Sequence, residues 1–217
     1  LDVFRTHGKI YEAMASRITG KPIKFYLEFR KANNKHHEDR QLGKLATLSA
    51  DFGAWINGWK RFGAEKYGDD EFLKQLILKT RAAQPMVTEL WGGQTRNKFK
   101  WDERPELYGL EGAAISAVLD PGTCYGYRGV RYVVYDDVLY CQPPGNGAPL
   151  VYHEPRLEPS RREYARPWEL DLTYMGWNSN ATKGKAGWVR MSLYGGVLTQ
   201  NAVAKTAREY QADTLVS

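Results

Sequence analysis

The sequence predicts an α+β fold, with helices in the first half and antiparallel strands followed by one helix in the second. Three observations lead to this prediction. Apolar residues recur at helical spacing through most of the first half. Alternation rich in β-branched and aromatic residues begins near Tyr125, and helical spacing returns after Gly196. We therefore divide the chain into a helical region over 1–122 and a region of hairpin, strands and terminal helix over 123–217.

Glycine, acidic residues and proline mark the ends of the predicted helices. Gly20 suits a C-terminal stop, and Glu38 and Asp39 suit a helix N-terminus. Pro85 is expected to kink or split the helix that contains it. The predicted helices cover residues 1–20, 38–52, 54–62, 70–92, 105–119 and 197–213. A basic stretch separates the first two of them.

The strands are predicted from alternating apolar residues and from the turns between them. Asp136 and Asp137 separate two such runs, which is typical of a β-hairpin. The predicted strands cover residues 130–135, 138–141, 150–157, 169–177 and 188–193. The second half is therefore expected to hold an antiparallel sheet.

The composition excludes several classes of protein. With 217 residues, 42% of them hydrophobic and 26% charged, the chain can bury a sizeable core and is neither disordered nor a disulfide scaffold. No apolar run reaches the roughly 20 residues of a membrane span. Cys124 and Cys141 are predicted to be free thiols, which suits a reducing compartment. The net charge of +6 permits a polyanionic partner without requiring one.

The most informative helix carries a stripe of four side chains, each four residues after the last: Arg40, Lys44, Leu48 and Phe52. At about 100° per residue these positions follow one gently winding face. Such a face suits a nucleotide, with the cations on the phosphates and the apolar side chains under the base and sugar. An ordinary amphipathic helix with a solvated basic end has the same spacing, so spacing alone leaves both interpretations open.

Other candidate groups have competing structural interpretations. The adjacent His36 and His37 are more typical of a surface than of a metal site. The acidic pairs lie in predicted turns, where acidic residues are common; these pairs are Asp69-Asp70 and Asp136-Asp137. A basic and aromatic segment is equally typical of a single-stranded nucleic-acid surface and of a solvated loop; it contains Arg156, Arg161, Arg162, Tyr164, Arg166 and Trp168.

Four segments, in the same order along the chain, resemble the phage form of the family A DNA polymerases. Arg40-Gln41-x-Gly43-Lys44-x-Ala46-x-Leu48, with Phe52-Gly53 following, resembles the nucleotide-binding helix of the fingers. The other three resemble the segment after the first catalytic-aspartate motif, the strand after the palm hairpin, and a palm segment with its helix; they are 1–13, 150–157 and 188–196 with Asn201. Together the four cover nearly the whole chain.

This resemblance implies a nucleotide site. By position, Arg40 and Lys44 correspond to the residues that bind the incoming triphosphate. Tyr11 occupies a position that faces the triphosphate in the family. Phe52 corresponds to the ring beside the nascent base pair, usually a tyrosine, with Leu48 on the same stripe.

The resemblance also implies DNA contacts near the end of the chain. The terminal helix would lie along the minor groove of the primer–template, with Tyr194, Gln200, Asn201 and Arg156 as candidate DNA-binding residues. The implied partners are a deoxynucleoside triphosphate, primer–template DNA and a further segment or subunit that completes the palm. The implied location is the cytoplasm of the infected bacterium.

The departures from the family put activity in doubt. Val197, Gln200 and Ala204 stand where the phage form usually has Lys, Glu and Gln, and Thr47 replaces a usual Glu. The chain also lacks both catalytic-aspartate motifs, so Mg²⁺ is expected only in a complete active site and not on this chain alone. A second interpretation therefore stays open: a degenerate copy that serves as a DNA-binding, protein-binding or structural phage module, for instance in the virion.

Overall fold

The computed structural model describes residues 2–51, 53–92, 109–145, 147–160, 170–179 and 186–216. The chain forms two compact units, Leu1–Val87 and Thr88–Ser217, and the boundary falls within one short helix. Within the described ranges, no helix is long and apolar enough to cross a membrane. The α+β class is confirmed, because helices dominate the first unit and an antiparallel sheet dominates the second.

The first unit is helical. Its elements are α1 (Asp2–Thr6), α2 (Ile10–Thr19), α3 (Ile23–Asn33), α4 (Asp39–Asp51), α5 (Ile56–Arg61), a 3-10 turn (Ala64–Tyr67) and α6 (Asp70–Ala83). Helix α7 (Pro85–Trp91) follows directly, so the predicted split at Pro85 is confirmed. The apolar faces of α2, α4 and α6 enclose a core around Trp59, which is 1% exposed.

Two predictions for the first unit are wrong in detail. Residues 1–20 form two helices instead of one, because Gly8 adopts φ +64° between α1 and α2, a backbone conformation that interrupts a right-handed helix. The basic stretch contains the whole of α3, in which Tyr26 is buried. Its charged residues had obscured the helical spacing of its few apolar ones.

The second unit is a sheet with helices on one face. It contains α8 (Gly109–Leu119) and the strands β1 (Tyr125–Tyr127), β2 (Val130–Tyr135), β3 (Val138–Gln142), β4 (Leu150–Pro159), β5 (Leu170–Asn178) and β6 (Gly187–Ser192), then α9 (Gly195–Val216). The strands pair antiparallel in chain order. Leu110 of α8 and Leu198 of α9 pack on the same core as Tyr132 and Leu139 of the sheet. The predicted hairpin, later strands and terminal helix are thus confirmed, whereas β1 was not predicted as a separate strand, although the β-rich pattern begins at Tyr125.

The start of α9 is fixed by close contacts with α7 and α8. The backbone N–H of Gly195 donates to Glu111 Oε2 at 3.1 Å, which places a buried carboxylate at a helix N-terminus. A Cβ on Gly195 would overlap the backbone carbonyl of Trp91. Gly195, the first residue of α9, therefore permits a close approach of two backbones.

Candidate functional site

The candidate site lies where α4 crosses α2. At the crossing, a Cβ on Gly43 would overlap the carbonyl oxygen of Tyr11 and lie 2.8 Å from the backbone nitrogen of Ala15. Only glycine allows the two backbones to approach so closely. The crossing brings Arg40, one turn before Gly43, beside Tyr11 and Glu12 of α2.

The first residue of α4 is anchored by neighbouring side chains. Asp39 Oδ2 accepts hydrogen bonds from Lys21 Nζ at 2.8 Å and from Tyr26 Oη at 3.0 Å. Burial acts to raise the pKa of the Asp39 carboxyl, but these two hydrogen bonds and the charge of Lys21 outweigh it and lower the pKa overall. The carboxylate therefore stays ionised and holds the start of the helix that carries Arg40.

Arg40 is held by a carboxylate and an aromatic ring. Its Nε donates to Glu12 Oε1 at 3.2 Å, and its guanidinium carbon lies 5.0 Å from the centre of the Tyr11 ring. His36 Nδ1 lies 2.8 Å from the same Glu12 oxygen. Glu12 is only 4% exposed, so a buried negative charge sits between two basic side chains.

These residues line an open pocket of about 240 Å³ in the first unit. Its lining comprises Gly8, Lys9, Ile10, Tyr11, Glu12, Arg30, His36 and Arg40. The wall of the pocket carries a net positive charge, because its one carboxylate, Glu12, is outnumbered by permanent cations. These are Lys9, Arg30 and Arg40, and His36 lies beside them. Since guanidinium and ammonium groups bind phosphate and carboxylate oxygens, the pocket suits an anionic ligand.

Only some of the predicted nucleotide-binding residues lie together in the structure. Tyr11 and Arg40 are in contact, although they are 29 positions apart along the chain. Lys44 is exposed one turn further along α4, and Leu48 is partly buried there; neither belongs to the described lining of the pocket. Phe52 lies outside the described residues.

The sequence had not identified four of the lining residues, Lys9, Glu12, Arg30 and His36. Glu12 follows Tyr11 directly, but only the α2–α4 crossing makes it a buried partner of Arg40. The sequence predicted both histidines at the surface; His36 is exposed there, whereas His37 is partly buried. The ring of His37 packs edge-on against Phe25 and Phe29 and is largely shielded from solvent.

The candidate DNA-binding residues occupy both faces of the sheet. Asn201 Nδ2 donates to Tyr152 Oη at 3.0 Å, Gln200 is exposed and Tyr194 is partly buried just before α9. Leu157 packs on the core beneath α9, so strand alternation places its exposed neighbour Arg156 on the opposite face. The rest of the basic and aromatic segment, 161–168, lies outside the described residues.

The two acidic pairs serve local structure. Asp69 accepts from the backbone N–H of Phe72 at 2.9 Å and caps α6, and Asp70 pairs with Lys60. Asp136 and Asp137 form the β2–β3 turn at φ +48° and +57°, as a type I′ hairpin turn requires. Within the described part of the chain, no three His, Cys, Asp or Glu side chains gather as metal ligands.

Comparison with known proteins relates the chain to a phage enzyme. It is 31% identical, over all 217 residues, to a DNA polymerase of Bacillus phage SP02. The chain covers 28% of the length of that protein. No protein-family model and no solved structure matches the chain. The chain is therefore similar to one part of a phage DNA polymerase.

Proposed function

We propose that the chain is the fingers and part of the palm of a phage-type family A DNA polymerase, and that it binds an incoming deoxynucleoside triphosphate. One observation carries the proposal. Tyr11 and Arg40 lie far apart in sequence, and the family resemblance assigns both to the triphosphate. They are in contact on the wall of a cationic pocket. The similarity to a phage DNA polymerase supports the same origin.

In this proposal the pocket binds the phosphates and α4 extends toward the sugar and base. Arg40 offers a planar guanidinium, which can bond two phosphate oxygens at once. Lys44, exposed on α4, adds a point charge beyond the pocket. Leu48 and Phe52 continue the stripe and are proposed to lie beside the sugar and the base. DNA would contact the start of α9 near Tyr194, Gln200 and Asn201.

Nucleotidyl transfer is proposed only for the complete polymerase. The reaction in this family needs metal ions held by carboxylates. The acidic pairs considered for that role are engaged otherwise, one at the start of α6 and one in the β2–β3 turn, and Glu12 is paired with Arg40. No step through Mg²⁺ is therefore assigned to the described residues. The carboxylates and the remaining palm would come from another segment or subunit.

Binding of a fluorescent deoxynucleoside triphosphate and of labelled primer–template DNA tests the proposal. We expect the 217-residue chain to bind the nucleotide, and Arg40→Ala/Lys44→Ala to weaken that binding by 100-fold or more. The estimate follows from losing two charge-assisted contacts of about 1.5–3 kcal/mol each. Lys66→Ala/Lys74→Ala is the matched control, because it removes the same charge from exposed positions outside the pocket.

Each outcome has a distinct meaning. Loss of nucleotide binding in the Arg40/Lys44 variant alone supports the fingers site. Equal losses in both double variants would indicate general attraction to a basic surface. Binding of DNA but not of nucleotide by the unmodified chain would contradict the proposal and favour the non-catalytic DNA-binding module.

A further inference from the structure

Glu12 is a buried acidic residue in a pocket that is otherwise cationic. Burying a carboxylate costs several kcal/mol unless it is paired and hydrogen-bonded. Here Arg40 Nε donates to Glu12 Oε1 at 3.2 Å, and His36 Nδ1 lies 2.8 Å from the same oxygen. The resemblance to polymerases assigns no role to this carboxylate.

The pairing constrains the Arg40 guanidinium in two ways. Glu12 engages Nε, and the Tyr11 ring lies 5.0 Å from the guanidinium carbon, which limits rotation of the guanidinium plane. The two terminal nitrogens of Arg40 make no hydrogen bond within the described part of the chain. They therefore remain available for two oxygens of one phosphate, the arrangement in which arginine binds phosphate most strongly.

We propose that Glu12 is a positioning residue that orients Arg40 for two-pronged binding of the triphosphate. This inference rests on the proposed nucleotide-binding function. The proposed role of Glu12 is to fix the orientation of the Arg40 guanidinium and not to change the charge of the pocket. His36 is held by the same Glu12 oxygen, so the carboxylate orders two of the basic groups on the pocket wall.

A simple charge effect predicts the opposite result. If Glu12 only offset part of the positive charge, its neutralisation would strengthen the attraction of the pocket for an anion. If Glu12 positions Arg40, its neutralisation weakens binding, because the guanidinium must then be ordered by the ligand itself. The direction of change in affinity therefore separates the two roles.

The test measures dissociation constants of a fluorescent deoxynucleoside triphosphate for the 217-residue chain and for Glu12→Gln. Glutamine keeps the shape of the side chain and loses its charge. We expect the dissociation constant to rise roughly fivefold to thirtyfold, a coupling typical of residues in direct contact. In an Arg40→Ala background, Glu12→Gln is expected to have no further effect. A purely structural role would lower affinity in both backgrounds.

Glu28→Gln is the matched control. It removes the same charge from an exposed position on α3, where Glu28 is 3.6 Å from Lys24. We expect its dissociation constant to stay within about twofold of the unmodified chain, as for most exposed positions away from a site. A thermal melt of each variant shows whether the buried substitution still folds.

Arg40→Lys gives a second test that leaves Glu12 intact. Lysine keeps the charge but lacks the planar fork, so its ammonium cannot pair with Glu12 through one nitrogen and present two further nitrogens to a phosphate. We expect this variant to lose nearly as much affinity as Arg40→Ala. Near-normal binding by Arg40→Lys, or unchanged or tighter binding by a folded Glu12→Gln, would overturn the inference alone. Failure of the unmodified chain to bind nucleotide would instead overturn the proposed function on which it depends.

Discussion

Gly43 of α4 lies directly against the backbone of Tyr11 in α2. A side chain at Gly43 would push the two helices apart, since the two nearest atoms it would meet are backbone atoms that cannot rotate away. The candidate pocket depends on this contact, because Arg40 reaches Glu12 only when the helices are this close.

Gly43→Ala is therefore expected to lower the free energy of unfolding by about 1–3 kcal/mol, the usual cost of inserting a methyl group into a tightly packed site. The sign is informative. In an exposed helix interior the same change raises stability by about 1 kcal/mol, because alanine favours helix more than glycine does. Urea denaturation measures the difference.

Gly187→Ala provides the comparison for this experiment. Its Cβ would meet no atom within 4 Å, and its backbone needs no left-handed conformation. We expect a change within about 0.5 kcal/mol. Equal or higher stability of Gly43→Ala would mean that α2 and α4 do not approach as described.

The two cysteines are expected to react very differently with a thiol reagent. Both are free; Cys124 is exposed, whereas Cys141 is buried in β3. Burial raises the pKa of the Cys141 thiol to about 11, so at pH 8 it holds almost no thiolate, the reactive form.

At pH 8 we expect one thiol to react rapidly and the second only when denaturant is added. Absorbance after addition of an aromatic disulfide follows both phases. Cys124→Ser is expected to abolish the rapid reaction and leave only the thiol that reacts in denaturant. Two fast thiols in the native chain would contradict the burial of β3.

Stability is expected to fall in alkaline solution. Burial raises the pKa of the Tyr132, Tyr152 and Tyr174 hydroxyls above the ordinary value of 10.0, as it raises that of the Cys141 thiol above 9.0. Above these ordinary values the unfolded chain releases protons that the folded chain retains. The unfolded state then binds fewer protons, so the free energy of unfolding decreases as the pH rises.

These groups do not lower the free energy of unfolding below about pH 8, and the decrease grows from about pH 9 upward. Cys141 alone contributes about 2 kcal/mol by pH 10.5. Urea titrations at pH 8 and pH 10.5 measure it. Tyr152→Phe should lower stability at pH 8 by about 1 kcal/mol, because Asn201 loses its acceptor, yet reduce the further loss at high pH. A stability that stays constant up to pH 10.5 would contradict the burial of these groups.

The sequence predicted well those features whose causes are local. Pro85 lacks the N–H that a continuous helix needs, and the hairpin turn is formed by two adjacent acidic residues, Asp136 and Asp137. Helix α3 was missed because its buried face is narrow, with Tyr26 as its one fully buried side chain. Most of its remaining positions are charged or exposed.

The candidate site was predictable only in part for a related reason. Arg40 and Tyr11 were identified by their resemblance to known motifs, which needs no knowledge of the packing. Glu12 and His36 become partners of Arg40 through a helix crossing that joins distant parts of the chain. No local spacing rule describes such a contact, and a carboxylate in an amphipathic helix is ordinarily assigned to solvent.

The chain-order pairing of β1 to β6 also has a consequence for biosynthesis. Each strand after β1 pairs with the strand that precedes it in the chain. During synthesis, the pairing partner of each new strand has therefore already left the ribosome. Such short-range pairing keeps the loop-closure entropy small and favours rapid folding. Helix α9 follows β6 in the chain and places Leu198 and Ala202 on the core that the sheet lines. The order of translation is thus also a workable order of assembly.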